Sequence, residues 1–263
     1  MKFFSNKILL LFLFITPTIW AQFKLKDSIE LPSENISHLK TNAFGDVLMV
    51  VNDRELIKID SKKNIKRHPL KKIVTQLDTN LSLKTGVVYN YQELEILDDQ
   101  LNPIQDKINF NQHQIFPSVI SISDSQTLWY FDPIEQRLFQ WNYQLGKVLN
   151  KSNTLHFKEN DYSIIDIHQT NNRVFLKSQN RIYEYDLFGN FKSETEIKSD
   201  LNYSFYDIYL VSSNKETINL TNLLNKEISS FDNFFNGKDF TMRGDELFVI
   251  KNKGLYIYTR IKK

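Results

Sequence analysis

The chain has 263 residues, 41% hydrophobic and 24% charged, with 33 basic and 31 acidic side chains and no cysteine. Without cysteine it can form neither a disulfide nor a thiolate zinc site, and it lacks the residue that carries the lipid of a bacterial lipoprotein. A formal charge of +2 gives no basic footprint for nucleic acid or for an anionic membrane.

The first predicted element is an export signal. Lys2 and Lys7 make a basic start, residues 8–15 (ILLLFLFI) are an unbroken apolar run, and residues 16–21 (TPTIWA) bring the helix-breaking Pro17 and a small residue before Gln22. That order is the pattern of a secretory signal peptide, and the run stops well short of the about 20 apolar residues a membrane span needs. Cleavage is expected after Ala21, although Ile19 is bulkier than the residue usual three places before a cut. Residues 1–21 are thus read as the signal and 22–263 as one mature domain, periplasmic or secreted, monomeric and without a transmembrane segment. Two lysines leave with the signal, so 31 basic residues face 31 acidic ones and the mature net charge is zero. Local basic runs such as residues 62–67 (KKNIKR) read as solvated face.

Residues 23–31 (FKLKDSIEL) then read as an outer strand with no unit of its own. From there the chain repeats. Residues 55–65 (ELIKIDSKKNI), 93–104 (ELEILDDQLNPI), 137–148 (RLFQWNYQLGKV) and 181–198 (RIYEYDLFGNFKSETEIK) share one register. Each opens on a charged residue followed by an aliphatic one, reaches a large apolar residue three places later (Ile59, Leu97, Trp141, Tyr185), then Asp or Asn (Asp60, Asp98, Asn142, Asp186). Four residues further on comes Asn or Gly (Asn64, Asn102, Gly146, Asn190). This is hairpin chemistry. An Asp or Asn that ends a strand accepts hydrogen bonds from the amides of the turn, and Asn or Gly tolerates the positive φ that returns the chain. A catalytic or metal-ligating role for the repeated Asp is not favoured, since one turn per unit sets the carboxylates far apart.

Asp60 and Asp98 lie 38 residues apart, and Asp98, Asn142 and Asp186 follow one another at 44. A period near 40 with several short strands per unit marks β-propeller blades. Upstream of each hairpin lies an apolar central strand: residues 47–51, 86–91, 127–131 and 174–176. Candidate innermost strands precede these, such as 118–123 and 162–167. Residues 206–211 and 217–228 make a degraded fifth unit with Asn222 at the turn. A sixth runs from Phe240 through 246–250 and 254–259 and stops before a fourth strand, which residues 23–31 are expected to supply by closing the ring. The expectation is all-β: a single six-bladed propeller of four-stranded antiparallel blades, closed between the N-terminal strand and the C-terminal blade.

Residues 171–191 (NNRVFLKSQNRIYEYDLFGNF) resemble one repeat of the NHL type: a strand and polar turn, then Asn-Arg-Ile, an aromatic strand, Asp and Gly-Asn. Elsewhere the glycines typical of that repeat are mostly absent. The mature chain is also similar to uncharacterised secreted propeller proteins of Bacteroidota, whose signals often end in Ala-Gln as Ala21 and Gln22 do. That resemblance implies fold and compartment and brings no activity.

Little in the sequence assembles a chemistry. His38, His68, His113, His156 and His168 are dispersed with no pair at ligand spacing, and HExxH, GxSxG, SxxK and a phosphate loop are all absent. Some six-bladed enzymes hold calcium at the ring centre, and Asp161, Asp166, Asp207 and Asp239 lie near predicted inner strands. Such acids are routine at loop ends. The aromatic cluster Trp129, Tyr130, Phe131, Phe139, Trp141 and Tyr143 could stack on carbohydrate, but blade-to-blade packing demands the same residue types. The sequons at Asn35, Asn80, Asn150, Asn202 and Asn219 arise by composition; residues 254–263 (GLYIYTRIKK) suggest export by a type IX system, but its sorting domain needs a sandwich of its own, for which six blades are expected to leave no residues. No catalytic, cofactor-binding or metal-binding residue is assigned, and no cofactor. The reading is a protein-binding or scaffolding module of the cell envelope; the alternative is a calcium-dependent hydrolase or lactonase with its site in the central channel.

Overall fold

The computed structural model describes residues 23–33, 35–81, 83–158, 161–198, 202–214, 216–232 and 239–261; the signal assigned to 1–21 lies outside them. Blade I is β2 (Ile36–Thr41), β3 (Val47–Val51), β4 (Glu55–Ile59) and β5 (Ile65–Pro69). Blade II is β6 (Val74–Asp78), β7 (Thr85–Tyr89), β8 (Glu93–Leu97) and the short β9 (Ile108–Asn109). Blade III is β10 (Val119–Ile122), β11 (Thr127–Asp132), β12 (Arg137–Asn142) and β13 (Lys147–Lys151). Blade IV is β14 (Ile164–Gln169), β15 (Val174–Ser178), β16 (Arg181–Tyr185) and β17 (Phe191–Glu196). Blade V is β18 (Asn202–Tyr206), β19 (Tyr209–Ser213), β20 (Thr217–Asn222) and β21 (Ile228–Asp232). Blade VI is β22 (Asp239–Arg243), β23 (Glu246–Lys251), β24 (Gly254–Arg260) and, outermost, β1 (Phe23–Glu30) from the other end of the chain.

The composition of each strand follows from its radial place. A second strand such as β3 (VLMVV) is buried at every position because neighbouring blades cover both its faces, whereas the outer β5 (IKRHP) alternates between exposed and half-buried. Among the described residues the apolar side chains gather into six clusters, one at each blade junction. The aromatics of blade III belong to the junctions with blades II and IV, and all six are buried, so they are core and not a stacking surface. The junction of blades IV and V is the smallest, built on Phe175, Ile182, Leu210 and Leu223. Lys177 is buried there with its ammonium 5.0 Å from the centre of the Tyr203 ring, and burial pushes its pKa below the ordinary lysine value.

The repeated turn works largely as expected. Asp60 accepts from the amides of Lys62 and Asn64, both at 2.8 Å, Asp98 from those of Gln100 and Asn102, and Asp186 from those of Phe188 and Asn190. The Asn64 side-chain amide together with the turn amides at Asp60, the turn amides and the Asn102 side chain at Asp98, and the Lys192 ammonium at 2.9 Å together with Asn190 at Asp186 hold the three carboxyls below the usual carboxylate range against the opposing effect of desolvation. One detail differs. The positive φ falls on Lys63, Leu101 and Gly189, one place before the repeated Asn. Asn64, Asn102 and Asn190 instead donate their side-chain amides back to the Asp that opens the turn. In blade III, where the turn is longer, the expected residue, Gly146, carries the positive φ itself, and in blade V the residue at the same place, Lys226, does too.

Two other expectations are corrected. Residues 206–211 are not one strand: the chain turns at Asp207, whose φ is +48°, and Ile208, separating β18 from β19. In blade II the outer strand shrinks to two residues, followed by a 3-10 turn over Phe110–His113 whose buried Phe110 fills the II–III junction.

Closure is as expected. β1 pairs antiparallel with β24 from Phe23 opposite Arg260 to Glu30 opposite Gly254. Phe23 is buried against Phe231 of blade V, ring centres 5.3 Å apart, and Asp27 meets Lys63 of blade I at 2.7 Å. Removal of residues 23–31 should expose the edge of β24 and give aggregating protein, while Phe23→Ala should cost about 3–5 kcal/mol in urea unfolding. A soluble truncation with an unchanged melting temperature would refute closure. Gly189, at φ +81°, would place a Cβ 3.2 Å from the backbone of Lys151 and Ser152 in the neighbouring blade, whereas Gly244, at φ +59°, faces open space. Gly244→Ala is therefore expected to cost about 1 kcal/mol, and Gly189→Ala clearly more in the same measurement.

Candidate functional site

In every blade the antiparallel succession puts the loops after the first and third strands at one end of the ring and the loops after the second and fourth at the other. The cavity of about 720 Å³ at the ring centre is lined by the C-terminal ends of the innermost strands and the loops that follow, so it opens at the first end. Backbone irregularities shape its lining. β2, β6 and β14 each carry a register shift, between Ser37 and Lys40, Val74 and Gln76, and Ile164 and Asp166. A bulge re-aims the side chain that follows it, and Lys40, Gln76 and Asp166, the first paired residues past the three shifts, all line the cavity. Nothing in the sequence marked these bulges.

Most polar groups of the channel wall bond one blade to the next. Gln76 of blade II mimics a strand edge: its amide donates to the Ile120 carbonyl at 2.7 Å and its oxygen accepts from the Ile120 amide at 2.8 Å in blade III. Two residues on, Asp78 accepts from the Ile122 amide at 2.9 Å. At the I–II junction His38 donates through Nε2 to the Val74 carbonyl, and Thr79 donates to the Thr41 carbonyl. Ser123 bonds Gln169 between blades III and IV, and Ser204 reaches Thr241 between V and VI. Thr41 donates to the Met242 carbonyl, and Arg243 to that of Ala43, across the last junction. His168 donates through Nε2 to the Asp207 carbonyl at 2.8 Å between IV and V, its ring stacked on Phe205 at 5.1 Å. A carbonyl can only accept, so His38 and His168 both carry their proton on Nε2.

Burial dominates the protonation of two of these groups. It pushes the Asp78 carboxyl up to about 7, against the opposing effects of the Ile122 amide and the Lys40 charge. It pushes His168 down to about 4, although the bond to Asp207 and the nearby Asp166 carboxylate favour the charged ring. His168 is thus neutral at pH 7, and Asp78 holds its proton well above the ordinary carboxylate range.

Lys40, Asp166 and Asp207 stand apart from this girdle of bonds between neighbouring blades, and Arg243 joins it through one donor only. Lys40 of blade I reaches across the ring to Asp166 of blade IV at 3.5 Å, with both side chains partly accessible. Arg243 of blade VI lies over the Tyr206 ring. Asp207, just past β18, is exposed at the rim.

Of the four acids considered from the sequence, only Asp166 and Asp207 line the cavity. Asp161 is buried beneath blade IV, where it accepts from the Asn180 amide, the Arg181 guanidinium and the Tyr183 hydroxyl. Asp239 begins β22 and accepts from the Phe240 amide, away from the cavity. Among the described residues no three His, Asp or Glu gather as a metal site. Calcium takes six to eight oxygens, so this donor set does not fit it. The five histidines are scattered: besides His38 and His168, His68 lies 3.5 Å from Glu95, His113 packs edge-on to Trp141, and His156 is exposed. The bonding roles of Gln76, Asp78 and Arg243 went unseen, because pairing between blades depends on ring closure and not on sequence spacing.

No family model matches the chain, and no curated protein does. Solved structures do. The WD40 domain of Pan2 from Neurospora crassa is similar with a TM-score of 0.60 and 9% identity, over 92% of this chain and 97% of that one. The propeller domain of Cps50 (Swd1) from Myceliophthora thermophila gives 0.55 and 9%, over 85% and 83%. At such identity the likeness shows the fold alone.

Asp78 and His168 impose opposite pH dependences. The folded state raises the Asp78 pKa, so its contribution to stability is complete below the ordinary carboxylate range and is lost as the pH rises to about 7. The folded state lowers the His168 pKa, so its contribution is complete above the ordinary imidazole range and is lost as the pH falls through about 4. In urea titrations from pH 4 to 7, the stability of Asp78→Asn minus that of the wild type should increase with pH, and the same difference for His168→Gln should decrease. Differences that do not change with pH would show that neither group titrates as stated.

Proposed function

We propose that this propeller is a protein-binding or scaffolding module, exported by its N-terminal signal to the periplasm or beyond and related to the NHL-like secreted propellers of Bacteroidota. The observation that carries the reading is the distribution of exposed apolar side chains. At the end of the ring opposite the cavity, three consecutive blades present them at their loop tips: Ile73 and Tyr91 from blade II, Phe116 and Ile134 from blade III, and Tyr162 leading into blade IV. Ile134 is 75% exposed and Tyr162 80%. Loop tips at the cavity end carry comparable side chains, Phe44, Leu145 and Phe188 among them, so apolar loop tips stand at both ends of the ring. Such exposed apolar surface is the kind through which proteins associate; the set opposite the cavity is the one that lies away from the charged channel. The WD40 likeness supports the same class, since it shows the same ring architecture. Among the described residues no helix is long and apolar enough to cross a membrane. The channel wall gives a hydrolase little to work with, since Asp78, Gln76 and His168 are spent on holding neighbouring blades.

Intact-mass measurement of protein from the envelope fraction should give a chain beginning at Gln22, and cross-linking in that fraction should recover a discrete partner. Recovery should fall at least about tenfold, the equivalent of about 1.4 kcal/mol, in an Ile134→Asp, Tyr162→Ser variant that melts like the wild type. A retained segment 1–21 would overturn the compartment, and undiminished capture by the variant would overturn the surface. Stabilisation by Ca²⁺ that is lost in Asp166→Asn would favour the hydrolase alternative, because a native-state ligand at 100 times its Kd stabilises by about 2.7 kcal/mol.

A further inference from the structure

Apart from the Asp78 carboxyl, which is buried and bonded to the Ile122 amide of blade III, the charges of the central cavity are sorted by sector. Lys40 belongs to blade I and Arg243 to blade VI, which are neighbours across the closure; Asp166 belongs to blade IV and Asp207 to blade V, also neighbours. One sector of the wall is therefore cationic and another anionic, with room of about 720 Å³ between the walls. Among the described residues the two sectors share one ion pair, Lys40 to Asp166 at 3.5 Å. That is longer than the roughly 2.7–2.9 Å of a strong charge-assisted hydrogen bond. Arg243 gives one donor to the Ala43 carbonyl and lies over the face of Tyr206, which leaves the rest of its guanidinium fork uncommitted. No hydrogen bond among the described residues engages the Asp207 carboxylate. The stacked rings of His168 and Phe205 line the anionic sector.

We propose that this cavity binds a small zwitterion, a free amino acid or short peptide, with its carboxylate toward Lys40 and Arg243 and its ammonium toward Asp166 and Asp207. The choice of ligand class follows from what each alternative would leave behind. A simple anion that took Lys40 would strip Asp166 of its counter-charge inside a narrow channel, and a simple cation at Asp166 would do the same to Lys40. Leaving a partly desolvated charge unpaired is costly. A zwitterion replaces both halves of the pair at once, and it adds the Arg243 and Asp207 interactions that Lys40 and Asp166 cannot make with each other. A neutral sugar would satisfy hydrogen bonds and leave the sorted charges unused. The volume of about 720 Å³ is within the range of ordinary small-molecule sites, about 300–1,000 Å³. The girdle of neutral bonds keeps the wall rigid, so the ligand meets a preformed site and the ordering cost of binding is small.

The proposal is independent of the docking surface on the opposite end of the ring and is tested with the full mature chain. Calorimetry and thermal shift with the dipeptide alanyl-alanine are run beside its N-acetylated form, its C-terminal amide and maltose. Saturable binding of the free dipeptide, weakened at least about tenfold by either cap, is the expected result. Lys40→Met and Asp166→Asn should each abolish it. Lys40→Arg, which keeps the positive charge, should retain measurable binding, and Lys40→Met and Asp166→Asn should melt cooperatively as the wild type does, which separates loss of the site from loss of the fold. No binding of the free dipeptide, equal binding of the capped forms, or binding of maltose alone would overturn the proposal.

Discussion

Every blade of this protein depends on a neighbour, because its inner strands are apolar on both faces and no blade can bury them alone. The constraint that follows is closure. Five blades are continuous in sequence, but the sixth is built from both ends of the described chain, with β1 laid along β24. That one pairing gives blade VI its fourth strand, seats Phe23 in the V–VI junction and brings Ile29 and Leu31 into the I–VI core. The six apolar clusters and the channel wall exist as a ring only because this edge is taken.

The channel then acquires its character from a geometric necessity. The innermost strands of neighbouring blades belong to separate sheets with no ladder between them, so amides and carbonyls on their inner edges would go unpaired. Gln76, Asp78, Thr79, His38, His168 and Arg243 fill that role with side chains. A polar channel in this fold is accordingly weak evidence for catalysis. What distinguishes this one is the residue of charge left after the blade-to-blade bonds are counted.

The architecture was legible in the sequence to the extent that it is local. The Asp-to-Asn turn of Asp60, Asp98 and Asp186 announces itself because its donors and acceptor lie within five residues, and a strand buried on both faces, such as β3, reads as an apolar run. The fifth blade was blurred because Asp207 and Ile208 turn the chain without a Gly, Pro or Asn. The cavity was not legible. Lys40 and Asp166 are 126 residues apart, and each becomes a channel group through a bulge whose sequence carries no special residue. Asp161, which looked as eligible as Asp166, is buried under the blade by Arg181 and Tyr183.

The position of the closing strand also bears on how the chain reaches its native state. Lys26 of β1 and Glu246 of β23 form an ion pair across 220 residues of sequence, so the strand made first is among the last to find its place. Throughout synthesis or translocation from the N-terminus, β1 is an unsatisfied edge attached to an otherwise consecutive set of blades. The hairpins within blades form from near neighbours, but the final step has the largest contact order in the molecule and the greatest loop-closure entropy, which makes it the natural candidate for the slow phase of folding. An open arc of blades is also the species most exposed to pairing with a second chain, so the same strand that completes the ring is, before it docks, the one most able to complete someone else's.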